Sequence, residues 1–385
     1  MFHAIEGKIK MFSKTTIQRL IATAIILIGI IPNLSYSQGE TAVPFLLIAP
    51  NSRASGMGEA GTGVADDASA IFWNPAGLAF QTGQEVSVTH ANWLPQFAMS
   101  DLFYEYLGYK GHFDALGGTV GANIIYLNLG EFSKTLSSGP EIVGTFKAYE
   151  FAITGGYATK VLDNLGIGVN LRFIRSALAP FGTEEEKGSG IANTISFDVA
   201  AMYKQPLLDE EFLSSMNIGL NLANLGPKVA YIDEAQADPL PTNLRLGFGF
   251  DVLKSEFNNI MLNIDYQRIL VRRYSEQLDS TGTHRIVDPP PPDPSYKAIF
   301  SAWGDGSGLR KVTIGAGVEY WYGAPKLLAL RFGYFYEHPK YGNRKFLTFG
   351  AGIRYDIYGF DFSYLSATED NHPLSGPLRF TLMIN

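Results

Sequence analysis

The sequence predicts an all-β chain: a transmembrane antiparallel β-barrel of about fourteen strands with an N-terminal plug segment. Three observations lead there. Apolar and polar residues alternate with period 2 over stretches of about ten to twelve residues, twice the usual globular strand and the length of a tilted membrane strand. No stretch of the chain reaches the roughly 20 continuous apolar residues of a spanning helix. The connections between the alternating stretches are in turn short and long, as in barrels with tight periplasmic turns and long outer loops.

In chain order, the first element is a targeting segment. Lys8, Lys10, Lys14 and Arg19 form a basic start, and Leu20 to Ile31 an apolar run. Pro32 and Asn33 break that run, and Ser35 and Ser37 are small residues where a signal peptidase reads. The order basic, apolar, small is that of a secretory signal peptide, so residues 1–37 are expected to be removed. With no cysteine in the chain, disulfides, thiolate metal sites and a lipid-modified N-terminal cysteine are excluded together.

Residues 38–83 follow, Gly/Ala-rich and long enough to enter the lumen as a plug, with an extended periplasmic tail as the alternative. Trp73, Asn74 and Pro75 open a turn and are the expected plug anchors. Gly56-Met-Gly-Glu-Ala-Gly61 has the G-x-G-x-x-G spacing, but a dinucleotide site needs a preceding strand, a following helix and a parallel unit. None is predicted here. These glycines are expected to allow tight turns against the barrel wall.

Residues 84–385 carry the barrel. Leu165, Ile167, Val169, Leu171 and Phe173 share one face, against Gly166, Gly168, Asn170 and Arg172 on the other. Leu244 to Val252, Val312 to Tyr320 and Leu347 to Tyr355 alternate in the same way. Strands are expected near 84–93, 101–112, 117–129, 148–160, 165–177, 192–204, 215–224, 241–252, 260–272, 309–322, 327–338, 345–356, 359–367 and 377–385. Aromatic residues such as Tyr203, Tyr320, Tyr334 and Tyr355 fall near strand ends, where girdles meet lipid headgroups. The polar face bears Arg172, Asp198, Arg245, Asp265, Glu319, Arg331, Asp361 and Arg379, suited to a hydrated or plugged lumen. A soluble sandwich is the competing architecture. It would bury the apolar faces against each other and would not require alternating loop lengths.

The net charge of −7, with no basic stripe, argues against a nucleic-acid partner. The mature histidines His90, His112, His284, His338 and His372 form no ligand pair, and no G-x-S-x-G elbow occurs. Asp293, Glu337, Glu369 and Asp370 lie near the rim histidines, so an Asp/His hydrolase is conceivable, but chance placement in loops explains them equally. No catalytic, metal or cofactor-binding residue is expected. In the long loop 273–308, Asp288 to Pro294 should be extended polyproline, and Tyr296 to Trp303 a short aromatic helix. Trp93, Leu94, Tyr296, Phe300 and Trp303 are the candidate partner contacts at the outer rim; a self-packed cap is the alternative reading of the loop.

Several stretches in order resemble the PorV family (PorV or PorQ-like) of the type IX secretion system, itself related to FadL-type barrels. They are Arg53-Ala-Ser-Gly-Met-Gly-Glu-Ala-Gly61, Trp73-Asn-Pro75, Tyr126-Leu-Asn-Leu-Gly-Glu131, Tyr149-Glu-Phe151 and Leu171-Arg-Phe-Ile-Arg-Ser176. Pro241-Thr-Asn-Leu-Arg-Leu-Gly247, Gly342-Asn-Arg-Lys345 and Leu378-Arg-Phe-Thr-Leu382 continue the series. The resemblance implies an integral protein of the bacterial outer membrane without a cofactor. It also implies three protein partners: the large translocon subunit, the C-terminal signal domains of secreted cargo, and the surface attachment complex that receives that cargo. A passive FadL-like channel for hydrophobic small molecules is the alternative.

Overall fold

The computed structural model describes residues 41–97, 101–136, 139–179, 189–207, 211–274, 277–278, 285–287, 290–369 and 374–385. The expected signal peptide, 1–37, lies outside the described residues. Fourteen strands close into one antiparallel barrel. They are β1 (Gln84–Asn92), β2 (Phe103–Phe113), β3 (Gly118–Leu136), β4 (Gly139–Leu162), β5 (Leu165–Ala179), β6 (Gly190–Pro206), β7 (Phe212–Leu225), β8 (Asn243–Lys254), β9 (Asn258–Ile269), β12 (Val312–Tyr322), β13 (Leu328–Tyr336), β14 (Lys345–Tyr355), β15 (Tyr358–Ala367) and β16 (Leu378–Ile384). Between β9 and β12, β10 (Gln277–Leu278) and β11 (Arg285–Val287) form a separate small ribbon. Among the described residues no helix is long and apolar enough to cross a membrane.

Closure is made by β1 on β16, in register from Val86↔Ile384 to Ala91↔Arg379. With no free edge, every wall strand pairs on both sides, which hydrocarbon demands of backbone N–H and C=O groups. The alternation is decisive about what lies outside. Val169 and Leu171 are 51% and 52% exposed, while their neighbours Asn170 and Arg172 are 3% exposed. A soluble sandwich would show the reverse. Polar side chains fill the ring, and the apolar ones form a lipid-facing surface.

Two stretches differ from expectation. The expected loop 130–147 is largely a continuation of β3 and β4, paired as Glu131↔Lys147, Phe132↔Phe146 and Ser133↔Thr145. Phe132 and Phe146 stack with ring centroids 5.8 Å apart. The extension leaves residues 131–135 exposed, so the in–out alternation that marks wall strands is missing there. The second stretch is the entry to β12. Gly308–Lys311 make a 3-10 turn, and the strand starts at Val312 rather than 309. The long loop before it carries the expected short helix, at Ser295–Ser301, followed by a 3-10 turn at Ala302–Gly304.

The chain before β1 packs against the inner face of the ring. It has short helices at Ser52–Ser55 and Ala70–Trp73 and 3-10 turns at Pro44–Leu47 and Pro75–Phe80, nearly all buried. Its backbone N–H groups find wall side chains: Ser52 donates to Thr381 Oγ1 (3.0 Å), Gly58 to Thr348 Oγ1 (2.8 Å), and Gly61 and Thr62 to Asp265 Oδ2 (2.9 and 2.7 Å). Wall side chains donate to its carbonyls in turn, Asn170 to Ile71, Asn221 to Trp73 and Arg245 to Phe72. These partners come from β5, β7, β8, β9, β14 and β16, so the segment is held all round the ring. An irregular backbone cannot stay buried without such partners.

Candidate functional site

The inner segment is tied to the wall by charge as well. Arg53 grips Glu319 on β12 with a two-bond fork, Nε to Oε1 at 2.8 Å and Nη2 to Oε2 at 2.7 Å. Its Nη1 also donates to Asp66 and, at 3.2 Å, to Asp67. Arg331 bonds the same Glu319 oxygen at 2.7 Å and Asp361 at 2.9 Å, and Arg354 closes the chain on Asp361. Across the ring, Arg172 pairs with Asp198 at 2.8 Å. Buried ions persist only when paired and hydrogen-bonded, and of these links the Arg53–Glu319 fork is the one that joins segment to wall.

The expected anchors sit in the middle of this contact. Trp73 donates from Nε1 to Asn51 Oδ1 (3.2 Å), and the Arg245 guanidinium lies over its ring at 5.2 Å. Asn74 donates to the carbonyls of Thr62 (3.3 Å) and Ala201 (3.2 Å), while its Oδ1 caps the next turn by accepting from Ala76 (3.1 Å). Pro75 opens that turn against Gly168, where an added Cβ would lie 2.5 Å from the Pro75 carbonyl carbon. The G-x-G-x-x-G glycines also face tight quarters. Gly58 has φ 68°, and a Cβ there would stand 2.6 Å from the Tyr334 carbonyl oxygen.

Above the segment the long-loop end opens into a cavity of about 760 Å³. Val43, Pro44, Phe45 and Ile48 contribute from the inner segment, and Trp93, Leu127 and Leu129 from the wall and its first loop. Trp93 thus faces inward, half-buried. Leu94 beside it is also half-buried and takes a left-handed backbone, φ 49°, to turn the chain into Pro95–Phe97.

The other candidate contacts lie about six strands round the ring, on the loop before β12. Tyr296 and Phe300, four residues apart, stand on one face of the short helix and are 74% and 79% exposed. Ala298 and Ala302 on the opposite face are buried. Trp303 is 45% exposed, its ring 4.4 Å from the Arg268 guanidinium, and Arg268 Nη2 donates to the Ala302 carbonyl at 2.8 Å. Asp293 pins the helix start, accepting from Tyr274 (3.0 Å), Lys297 (2.7 Å) and Ser301 (2.7 Å). Burial opposes ionisation of Asp293, but those donors outweigh it and hold its carboxyl below the ordinary range. At Asp305 burial is likewise outweighed, by Lys311 and Ser307, and the carboxyl is held down at about 2. The structure therefore brings Tyr296 and Phe300 together as an outward pair, with Trp303 also exposed and resting on Arg268. Trp93 and Leu94 belong to a separate arc.

His90 bonds Glu105 at 2.8 Å and His338 caps Lys340 N. Among the described residues no group of three His, Asp or Glu could hold a metal. His284, Asp370 and His372 lie outside them.

Sequence reasoning missed three things: the role of Arg53, the cavity, and why so many inward positions are glycine. At Gly168, Gly219, Gly247, Gly315, Gly317 and Gly333 an added Cβ would run into inner-segment backbone. The signal was present in the Gly-x-Gly steps on the polar faces of β5, β8 and β12.

No curated protein matches the chain. In fold it is similar to the toluene transporter TbuX of Ralstonia pickettii, with 13% identity, TM-score 0.49, and 88% of this chain and 98% of that one covered. It is similar to the toluene transporter TodX of Pseudomonas putida (12%, TM-score 0.47, 91% and 98% covered). A FadL homologue of Pseudomonas aeruginosa gives 12%, TM-score 0.44, and 91% and 99% covered. The family described as type IX secretion system protein PorV matches residues 36–275. That match takes in the inner segment and the wall through β9, and the chain belongs to the PorV family of outer-membrane β-barrels.

Proposed function

We propose that this protein is an outer-membrane subunit of the type IX secretion system that binds the C-terminal signal domain of cargo at the translocon and passes it to the surface attachment complex. Docking takes place at the outer rim, and residues 38–83 act as a plug that closes the lumen to flux. The observation that carries this reading is the pairing of a bonded, charge-locked interior with an outward aromatic face. Tyr296 and Phe300 are more than 70% exposed on a helix whose other face is pinned to Arg268 and Asp293. Rigid exposed aromatics on a polar-edged platform are what protein recognition uses, because they bury large area at little cost in entropy.

The test replaces Tyr296 and Phe300 together by Ser and follows cargo arriving at the cell surface, with barrel folding checked by heat-modifiable electrophoretic mobility. Surface cargo should fall at least tenfold while the barrel stays intact. Unchanged display would remove this face from the docking site.

The cavity of about 760 Å³ favours a second reading, passive uptake of a hydrophobic small molecule. Uptake of a monoaromatic hydrocarbon by liposomes holding the protein separates the two. Flux above that of empty liposomes would support transport.

A further inference from the structure

At the outer end of the barrel, positive charge gathers where the lipid-facing stripe of β13 and β14 meets the loops. Tyr336 and Lys345 end that stripe as a cross-strand pair, on the face that exposes Phe332 and Phe349 lower down. Lys345 Nζ lies 5.9 Å from the centre of the Tyr336 ring. Beyond the strands, the turn Pro339–Tyr341 packs against the turn Gly308–Lys311 that enters β12. The His338 and Tyr341 rings are 5.8 Å apart, and Lys311 Nζ is 5.6 Å from the Tyr341 ring. This packing gathers Arg310, Lys340 and Lys345 about His338. Burial first, and then those three charges, hold its imidazole below the ordinary range, and among the described residues no carboxylate counters them there. Nearby acids are neutralised by other cations: Asp305 pairs with Lys311 at 2.6 Å, and Arg344 forks Glu337 at 2.7 and 3.0 Å. Glu369 keeps its charge but meets this region at the Asn343 amide. Among the described residues Arg310, Lys340 and Lys345 have no carboxylate partner. The exposed Arg310 is fixed by the carbonyls of Ser307 (from Nε, 3.0 Å) and Gly306 (from Nη2, 2.8 Å), which leaves Nη1 free to donate.

We propose that Arg310, Lys340 and Lys345 form a binding site for the phosphate headgroup of an outer-leaflet glycolipid. Phosphate accepts charge-assisted hydrogen bonds from guanidinium and ammonium groups and relieves the repulsion between them. Free phosphate has the same chemistry, but the position of the patch favours the lipid. Lys345 stands beside an aromatic ring at the outer end of a lipid-facing stripe, which is where headgroups lie. Acyl chains attached to that headgroup would lie along the stripe below it, over Tyr334, Leu347 and the Phe332–Phe349 pair, whose ring centroids are 5.5 Å apart. Leu309, next to Arg310, is 78% exposed and adds apolar surface. The site requires only a barrel in the outer membrane and does not rest on the docking role proposed for Tyr296 and Phe300.

The experiment titrates the full mature protein in detergent with diphosphoryl lipid A, with the same lipid freed of its phosphates, and with inorganic phosphate as competitor. Native mass spectrometry counts the bound lipid. The diphosphoryl lipid should bind saturably, and the dephosphorylated form about tenfold more weakly. Arg310→Gln with Lys340→Gln and Lys345→Gln should lower affinity for the phosphorylated lipid about tenfold. Lys204→Gln with Lys254→Gln, the same kind of change at the other end of the barrel, should leave it within about twofold. Heat-modifiable mobility verifies that each variant is folded, and the comparison of the two lipids on the unaltered protein still tests the site should the triple variant not fold. Equal binding of the two lipids, or equal binding by the triple variant, overturns the proposal. Displacement of the lipid by an equal concentration of inorganic phosphate overturns the lipid assignment in favour of a simple anion site.

Discussion

Replacing Arg53 by Met should loosen the inner segment without opening the barrel. Arg53 is 8% exposed, and Glu319, which it grips through two bonds, is fully buried. Methionine keeps much of the apolar stem but leaves Asp66 and Asp67 without their guanidinium and Glu319 with Arg331 alone. Removing one partner of a buried pair costs about 3–5 kcal/mol. The cost falls on contacts between segment and wall, because the wall's own ladders do not pass through Arg53. At about 1.4 kcal/mol per tenfold, local opening should become roughly a hundred- to several thousandfold more frequent. Hydrogen exchange followed by mass spectrometry in detergent reads this directly. The amides of Ser52, Gly58, Gly61 and Thr62, which donate to wall side chains, should exchange faster by about two orders of magnitude or more. Those of β4 to β6 should not change. Adding Glu319→Gln should cost less than the sum of the single changes, since the two residues share one link. Unchanged exchange in the segment, or equal loss of protection in segment and wall, would refute the assignment of Arg53 as the tie.

Three further expectations follow from the same geometry. Val199, 53% exposed in mid-strand, faces lipid, so Val199→Arg should destabilise folding into bilayers by about 2–4 kcal/mol in a denaturant titration. Gly58→Ala should displace the inner segment, because the residue has φ 68° and an added Cβ would press on the carbonyls of Tyr334 and Ala316; the readout is faster proteolysis before β1 with the barrel still closed. Asp305 is held at about 2, below the ordinary carboxyl value of roughly 3.9. A depressed carboxyl stabilises fully above its unfolded value and loses that contribution as pH falls through the folded one. The loop carrying Trp303 should therefore detach between about pH 4 and pH 2, seen as a change in tryptophan emission, and Asp305→Asn should flatten the transition.

The wall was legible because a strand between lipid and lumen has only one way to place its residues. The alternation of Val169, Leu171 and Phe173 with Asn170 and Arg172 sets register and orientation at once. The β3–β4 extension was not legible because it stands outside the ring, exposed on both faces, and keeps no such contrast. The outward pair Tyr296 and Phe300 was legible through its four-residue spacing in an aromatic run after prolines. Arg53 was not, since its wall partner Glu319 is 266 residues away in sequence and nothing beside Arg53 marks a charge that will be neutralised at that distance.

The glycine positions bear on which of the two outer-rim readings holds. A conducting lumen would line its polar face with side chains that water can solvate. Here the inward positions Gly168, Gly219, Gly247 and Gly333 hold none, and backbone of another part of the chain occupies that space. To open a path between the outer cavity and the opposite end of the barrel, the segment must give up the Arg53–Glu319 fork and several buried backbone bonds. At about 3–5 kcal/mol for the fork and roughly 1 kcal/mol for each bond, the open state would be populated at less than about one part in a thousand. A hydrophobic molecule entering the outer cavity therefore meets a floor that rarely moves. A protein segment docking at the rim needs no such movement, and the geometry thus favours recognition at the surface over passage through the interior.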